Sequence, residues 1–552
     1  MMYSNQQFIK ASNLIEKKNY SEAITILEKL FKKDKNNKDY LTRIIFCYFE
    51  LKKYQESIIF MKYLQDLDPT NIQNYFNLGY CYQIKGDYVS AKKSYLKIIE
   101  IDKKNVQAYL TLGSMLKNIN KFDEALEIYK VAISEKIYSN KIYTNISSVY
   151  IELKEYLRAL DFANKALSLD ANDYLALNNL GVIYINQKKF EEAIKYLNFA
   201  LKIKNQDPLV YLNLGIFYKN QNNEAEAIKY FDKCISLDNN YSDAHLYKAL
   251  IHLSNNNFIE GWKGYENRWL KQKKNVSSNL PLWSPNKNFK HILIWGEQGL
   301  GEQILFCSII KDLEKNFKKI TLIVNIKLKK ILQEAFNNIE VLSFDDDWSS
   351  NKADCQIPLG SLGYFYRNSK NDFPLSKKIL EINFKQQYFP KKKLRCGLSW
   401  KSVNSVESDS KSINLNELKN ILKLNEYIDF YDIQYTDENK NLKLLKEEGL
   451  EINKIPGLDP FNNLYHLSEV ICSMDFIVTI SNTTAHLSAS LGVPTFVLLS
   501  KNIGKLWYWS NNINDKNLWY PNAKIFRQKT QGVWEHPTND LEKFIFKYLI
   551  NL

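Results

Sequence analysis

A 34-residue period runs through the first half of this chain without an insertion or deletion, with copies starting near Ser4, Lys38, Ile72, Val106, Asn140, Tyr174, Pro208 and Ser242. Two columns show the register. A Leu-Gly pair recurs at Leu78-Gly79, Leu112-Gly113, Leu180-Gly181 and Leu214-Gly215. A small residue stands twelve positions after each glycine, at Ala91, Ala125, Ala193 and Ala227, with Ala23 and Ala159 in register. A unit of this length buries its apolar face only against its neighbours. The period therefore demands a stack of helix–turn–helix units with an open concave groove.

Within the copy from Ile72, Tyr75, Leu78, Gly79 and Tyr82 share one helical face. Gly86-Asp87 makes the turn, Ala91 marks the crossing of the two helices, and Tyr95 fills the next gap. This is the pattern of tetratricopeptide repeats, which bind partners and catalyse nothing, so any chemistry must lie after them. One column of the first helix is polar: Asn77, Thr111, Asn145, Asn179 and Asn213. Asn carries a donor and an acceptor, so the column reads as a ladder able to grip an extended peptide. In an Asn-rich chain it reads equally as ordinary repeat surface. The period decays between Asn257 and Trp269, where Gly261 takes the place of the small Ala. Trp262, Tyr265 and Trp269 there form an aromatic face expected to dock on the next domain.

The net charge is +14, but the excess is even, with 37 basic and 31 acidic residues up to position 270 and 38 and 30 beyond it. An even excess is not the basic stripe of a nucleic-acid binder, and no nucleic-acid partner is expected. No stretch approaches the ~20 apolar residues that cross a bilayer, so no transmembrane segment is expected. Met1 to Lys10 is polar and lacks a signal-peptide core. The seven cysteines are scattered without a CxxC pair, as expected of reduced thiols in the cytoplasm.

From His291 short apolar runs alternate with amphipathic segments. Candidate strands are His291–Trp295, Ile320–Val324, Val341–Phe344, Gln356–Leu359, Arg395–Trp400, Ile428–Gln434, Phe476–Ile480, Thr495–Leu499 and Lys524–Phe526. Alternation of this kind implies two parallel-sheet α/β lobes, with ligands bound beyond the carboxyl ends of the strands. Two turns lie at such ends. In Trp295-Gly-Glu-Gln-Gly-Leu-Gly-Glu-Gln303, Gly299 and Gly301 allow close backbone approach to a ligand, and Glu302 sits at the helix start facing the cleft. In Ser481-Asn482-Thr483-Thr484-Ala485-His486, Ser481 or Asn482 caps a helix whose first amides suit a diphosphate, with His486 one turn in. Read blandly, the second turn is an ordinary helix cap and His486 a satisfied buried imidazole.

Together with Gln356–Leu362, Cys396-Gly-Leu-Ser-Trp-Lys401, Ile433-Gln434, Leu518-Trp-Tyr-Pro521 and Ile525–Gln528, these turns resemble bacterial tetratricopeptide proteins whose C-terminal module is similar to heptosyltransferases. The architecture is also similar to the protein O-GlcNAc transferase group. The resemblance implies an α-solenoid over 1–270, a linker over 271–289, and a GT-B module of two Rossmann-like lobes. The acceptor lobe spans 290–385 and the nucleotide-sugar lobe 386–552. It implies a glycosyltransferase that needs no metal or cofactor and uses a nucleotide-diphosphate sugar as donor. The acceptor, a protein among the candidates, would be presented by the repeat groove.

By the same resemblance Glu302 is the base that deprotonates the acceptor, where such enzymes usually carry Asp, and Glu297 is the fallback. His486 joins it as a catalytic residue. Lys401, Gln434, Asn482, Thr483 and Thr484 hold the donor and its phosphates. Gly299, Gly301, Gly360 and Ser361 border the acceptor, and Asn77, Asn145, Asn179 and Asn213 line the peptide groove. The alternative is a protein-interaction scaffold whose nucleotide-sugar module is catalytically degenerate, for which Glu302 in place of Asp is the sequence support.

Overall fold

The structure is a computed structural model that describes residues 2–270, 276, 279–348, 352–373, 375–384, 393–402, 408–436, 438–501, 506–509 and 517–550. Parts of the expected linker, 271–275 and 277–278, lie outside the described residues. The chain forms two compact units, Met1–Asn213 and Leu214–Leu552.

The first unit is the repeat stack. First helices begin at Lys38, Ile72, Val106, Asn140 and Tyr174, and second helices at Tyr20, Tyr54, Tyr88, Phe122, Tyr156 and Phe190. Both series keep the 34-residue step. The turn between paired helices requires a left-handed residue, and this recurs at Lys18, Lys52, Gly86, Asn120, Lys154 and Lys188 with φ between 57° and 78°. Only one of the six is glycine, so side-chain-bearing residues carry the strain at the others.

Packing explains the two sequence columns. Ala23, Ala91, Ala125, Ala159 and Ala193 are fully buried where the helices cross. A Cβ on Gly79 would lie 2.4 Å from the Tyr95 ring, and one on Gly113 2.3 Å from Tyr129. The missing side chain is thus replaced by an aromatic ring from the second helix of the same copy. In the copy from Asn140, which lacks the glycine, the partner is smaller: Ser147 occupies its place and the ring position holds Ala163, both buried.

The second unit starts with the last helices of the period, Glu224–Leu237, Ser242–Ser254 and Phe258–Tyr265, and continues into two parallel sheets. The first contains β1 (His291–Trp295), β2 (Lys319–Val324), β3 (Glu340–Ser343) and β4 (Cys355–Pro358) in the order β3-β2-β1-β4. The second contains β5 (Leu394–Ser399), β6 (Ile428–Asp432), β7 (Asn453–Lys454), β8 (Phe476–Ile480), β9 (Thr495–Leu499) and β10 (Ala523–Arg527) in the order β10-β9-β8-β5-β6-β7. Strands β1, β2, β5, β8 and β9 are buried almost throughout, as expected of parallel sheets covered on both faces. All strands are parallel, and the order of strand addition switches sides between β1 and β4 in the first sheet and between β5 and β8 in the second. These are the positions where α/β sheets open a crevice.

The described part of the linker is structured. Trp283 N donates to Gln356 O at 2.8 Å and Gln356 N to Pro281 O at 2.9 Å, so the segment runs parallel to β4 along its outer edge. The aromatic face of the last copy docks as expected. Trp262 is 1% exposed, and its indole N–H donates to the Arg367 carbonyl at 2.7 Å. A Cβ on Gly363 would lie 2.4 Å from that ring. Trp262 therefore shares one core with Phe306, behind β1, and with Trp507.

Gly113→Ala is expected to destabilise the first unit by about 1–3 kcal/mol through overpacking against Tyr129. Denaturant unfolding of the full chain, followed by circular dichroism, measures it.

Candidate functional site

The turn after β1 is secured before it reaches the cleft. Gly296 N donates to Ile323 O at 2.9 Å. The buried Gln303 donates from Nε2 to Gln298 O at 2.8 Å and accepts from Asn325 N at 3.1 Å. The helix Leu300–Phe306 then crosses the helix Thr483–Ser490, which follows β8. A Cβ on Gly301 would lie 2.6 Å from His486 Cδ2, so glycine is required for the crossing.

Beside this crossing a cleft of about 410 Å³ opens beyond the strand ends of both sheets. Gly299, Gly301, Glu302, Asn482, Thr483, Thr484 and His486 all border it, joined by Lys411 from the short helix Ser408–Lys411. The Glu302 carboxylate accepts from the Gly299 amide, reaching back over its own helix start. Burial raises its proton affinity above the ordinary carboxylate range, the nearby Glu297 adds to this, and Lys411 opposes it. His486 is 2% exposed and lies within ring-contact distance of Tyr508 and Trp509. Its Nδ1 is 3.0 Å from the Tyr520 hydroxyl. Burial, helped by Lys411, pushes its pKa down to about 3, so the imidazole is neutral.

Asn482 caps its helix. Its Oδ1 accepts from Ala485 N at 3.2 Å and from Thr479 Oγ1 at 3.0 Å, and its Nδ2 donates to Ser399 Oγ at 2.9 Å. Its side chain thereby ties β8 to β5 while it borders the cleft. Thr483 and Thr484 present helix-start amides that make no hydrogen bond among the described residues.

Two of the residues expected to hold the donor, Gln434 and Lys401, do not border the cleft. Gln434 is buried, and its Oε1 accepts from Ser399 Oγ, Trp400 N and Lys401 N at 3.1, 2.9 and 2.9 Å while Nε2 donates to Lys401 O at 3.3 Å. It locks the end of β5 and is not among the residues that border the cleft. Lys401 pairs its amine with the buried Glu438 and does not border the cleft. The cation that does border it is Lys411, one of many lysines, with no motif to mark it.

Glu297, Gly360 and Ser361 form a separate cluster. Glu297 accepts from Gly360 N at 3.2 and 3.3 Å and pairs with Arg268 Nη2 at 2.9 Å, which also donates to Ser361 Oγ at 2.8 Å. A carboxylate so engaged is no spare base, and Gly360 and Ser361 sit at this clamp rather than in the cleft. Arg268 itself goes unread in the sequence, where it is simply the neighbour of Trp269.

In the repeats the Asn column divides. Asn77 and Thr111 accept from Gln73 and Gln107, one turn earlier on their own helices, at 3.0 and 3.1 Å, and Asn145 is half-buried. Asn179 and Asn213 are buried and donate into the preceding copy, to Thr144 O at 3.0 Å and Asn178 Oδ1 at 2.9 Å. Those two therefore staple neighbouring copies instead of lining a groove. Among the described residues no group of three or more His, Cys, Asp and Glu is placed to hold a metal, and no helix is long and apolar enough to cross a membrane.

By fold, the first half is a solenoid of tetratricopeptide repeats, followed by a parallel-sheet α/β region. The family described as Tetratricopeptide repeat matches residues 72–105, 94–127, 141–173, 174–207 and 209–241. Protein FlbA of Caulobacter vibrioides is 23% identical over 306 residues, which is 50% of this chain and 50% of that protein. The chain thus spans about half the length of this curated relative. Among solved structures, MamA protein is 26% identical over 30% of this chain and 92% of its own, with a TM-score of 0.25. A tetratricopeptide repeat protein from Parabacteroides merdae is 15% identical over 44% of this chain and 96% of its own, with a TM-score of 0.38.

Two titratable groups of the cleft, Glu302 and His486, predict opposite mutant effects on stability. Glu302 has a raised folded-state pKa, so its ionisation disfavours folding. Glu302→Gln is expected to raise the unfolding midpoint at neutral pH, and the gain to vanish below about pH 4.5. His486 has a lowered one, so folding is favoured above pH 6.5 and loses about 1.4 kcal/mol per pH unit from there down to about pH 3. Unfolding series across pH with His486→Gln should lack that slope.

Proposed function

We propose that the second unit is a glycosyltransferase of GT-B type, with the donor diphosphate held at the helix start Thr483–Thr484. The observation that carries this reading is convergence. A carboxylate, an amine, a neutral imidazole and two unengaged helix-start amides border one cleft at the strand ends of two parallel sheets. A helix start with a nearby cation is an anion site. A carboxyl with raised proton affinity suits general-base work near neutral pH.

In this reading Glu302 takes the proton of an acceptor hydroxyl as that oxygen bonds to the anomeric carbon. The bond from that carbon to the diphosphate oxygen breaks. Lys411 and the amides of Thr483 and Thr484 receive the developing charge, an interaction stronger in the transition state than before it. His486, with Nδ1 engaged by Tyr520, offers Nε2–H as a further donor. The tetratricopeptide repeats supply protein or peptide partners, and in this reading they bring the acceptor. No residue is required to bind a metal for these steps.

Calorimetry with UDP, GDP, ADP and CDP tests the reading. The intact protein is expected to bind at least one of them. Lys411→Ala should weaken that binding about tenfold or more by removing a charge-assisted contact. Lys401→Ala should change it by less than about twofold, because Glu438 already holds that amine. Glu302→Gln should preserve nucleotide binding and reduce transfer roughly 10²–10⁴-fold. If the intact protein binds none of the four, the transferase reading falls and the scaffold reading stands.

A further inference from the structure

The last copy of the period ends in the 3₁₀ turn Glu266–Leu270, and its Arg268 side chain is 9% exposed. Both terminal nitrogens of the guanidinium meet partners of stated chemistry. Nη1 donates to Tyr265 O at 3.0 Å and to Glu266 at 2.7 Å. Nη2 donates to Glu297 at 2.9 Å and to Ser361 Oγ at 2.8 Å. The plane lies over the rings of Tyr265 and Trp269, with Cζ 4.2 and 4.6 Å from their centroids. The neighbouring Tyr265 hydroxyl accepts from Gln298 Nε2 at 2.7 Å. Two residues of the last copy therefore grip two consecutive residues of the turn that carries Glu302.

We propose that Arg268 is a positioning residue of the cleft: from the last repeat copy it holds the Glu297 carboxylate against the Gly360–Ser361 turn and so fixes the loop that aims Glu302. The loops after β1 and β4 flank the point where the strand order of the first sheet switches sides, a place where α/β sheets form crevices. The clamp ties these two loops together through Glu297, Gly360 and Ser361. A planar fork suits this task because one group must satisfy a carboxylate and a hydroxyl on one side and a second carboxylate on the other. Charge matters as well as shape. Glu297 faces Arg268, Tyr265 and Glu302, and Glu302 faces Glu297, Lys411 and Tyr508. Without Arg268 an uncompensated carboxylate stands behind Glu302.

This rests on Glu302 being a working group of the cleft, so the test is read without activity. Hydrogen–deuterium exchange is measured on the full chain for Arg268→Met, Arg268→Lys, Glu297→Gln and the double variant Arg268→Met/Glu297→Gln. Arg268→Met is expected to speed exchange of the Gly296–Gln303 amides about tenfold or more, since it strands a buried charge. The Ala485–Ser490 amides should not change. Arg268→Lys should fall between Arg268→Met and the unmodified chain, because an ammonium keeps the charge but not the fork. The double variant should exchange more slowly than Arg268→Met alone, since no charge is left unpaired. Should Arg268→Met fail to fold, Arg268→Lys with localised acceleration carries the same result. Unchanged exchange at Gly296–Gln303 in both single Arg268 variants overturns the proposal. So does a double variant as fast as Arg268→Met, which would make Arg268 a packing group between two rings. Titration of UDP, GDP, ADP and CDP into the unmodified chain separates the two readings: absence of binding removes the transferase and leaves the exchange result decisive for the clamp.

Discussion

The crossing at Gly301 is the constraint on which the cleft depends. The helix after β1 and the helix after β8 approach so closely there that a single methyl group would enter the His486 ring. The contact fixes where two sheets meet, and it places Glu302, the residue after the glycine, beside the start of the second helix. It also seals His486 from water, which keeps the imidazole neutral and its hydrogen-bonding role independent of pH near neutrality. Backbone contact, burial and electrostatics at this site are one arrangement.

Much of the fold is legible in the sequence because its elements are strongly periodic. Helix starts follow the 34-residue step, and the expected strands lie within a residue or two of the observed ones, since buried parallel strands are written as apolar runs. The missed strand, Asn453–Lys454, is two residues long and carries no pattern. The two turns beyond β1 and β8 are also legible, because glycine spacing and a helix cap are local signals.

Partnership is not local. Lys401 and Gln434 stand at strand ends, as ligand-binding residues do, but only the folded chain brings Glu438 to the first and Ser399 and Trp400 to the second. The same holds for Asn179 and Asn213, whose acceptors lie 35 residues earlier in the preceding copy. Lys411 and Arg268 are the converse cases. Nothing around either marks it in sequence, and each acquires its chemistry from groups more than 25 residues away, Glu302 for one and Glu297 for the other. Residue type and position along a strand therefore propose candidates, and the competing partners select among them.

The exchange of volume between glycine and ring carries a consequence for how such an array diversifies. Gly79 with Tyr95, Gly113 with Tyr129, and Ser147 with Ala163 are matched inside single copies. A recombination event that breaks between copies hands on each matched pair intact. One that breaks inside a copy can set a ring against a side chain that leaves it no room. The lineage can therefore lengthen, shorten or reorder its array in whole units of 34 residues, and the pairing itself acts as the punctuation that keeps those units whole.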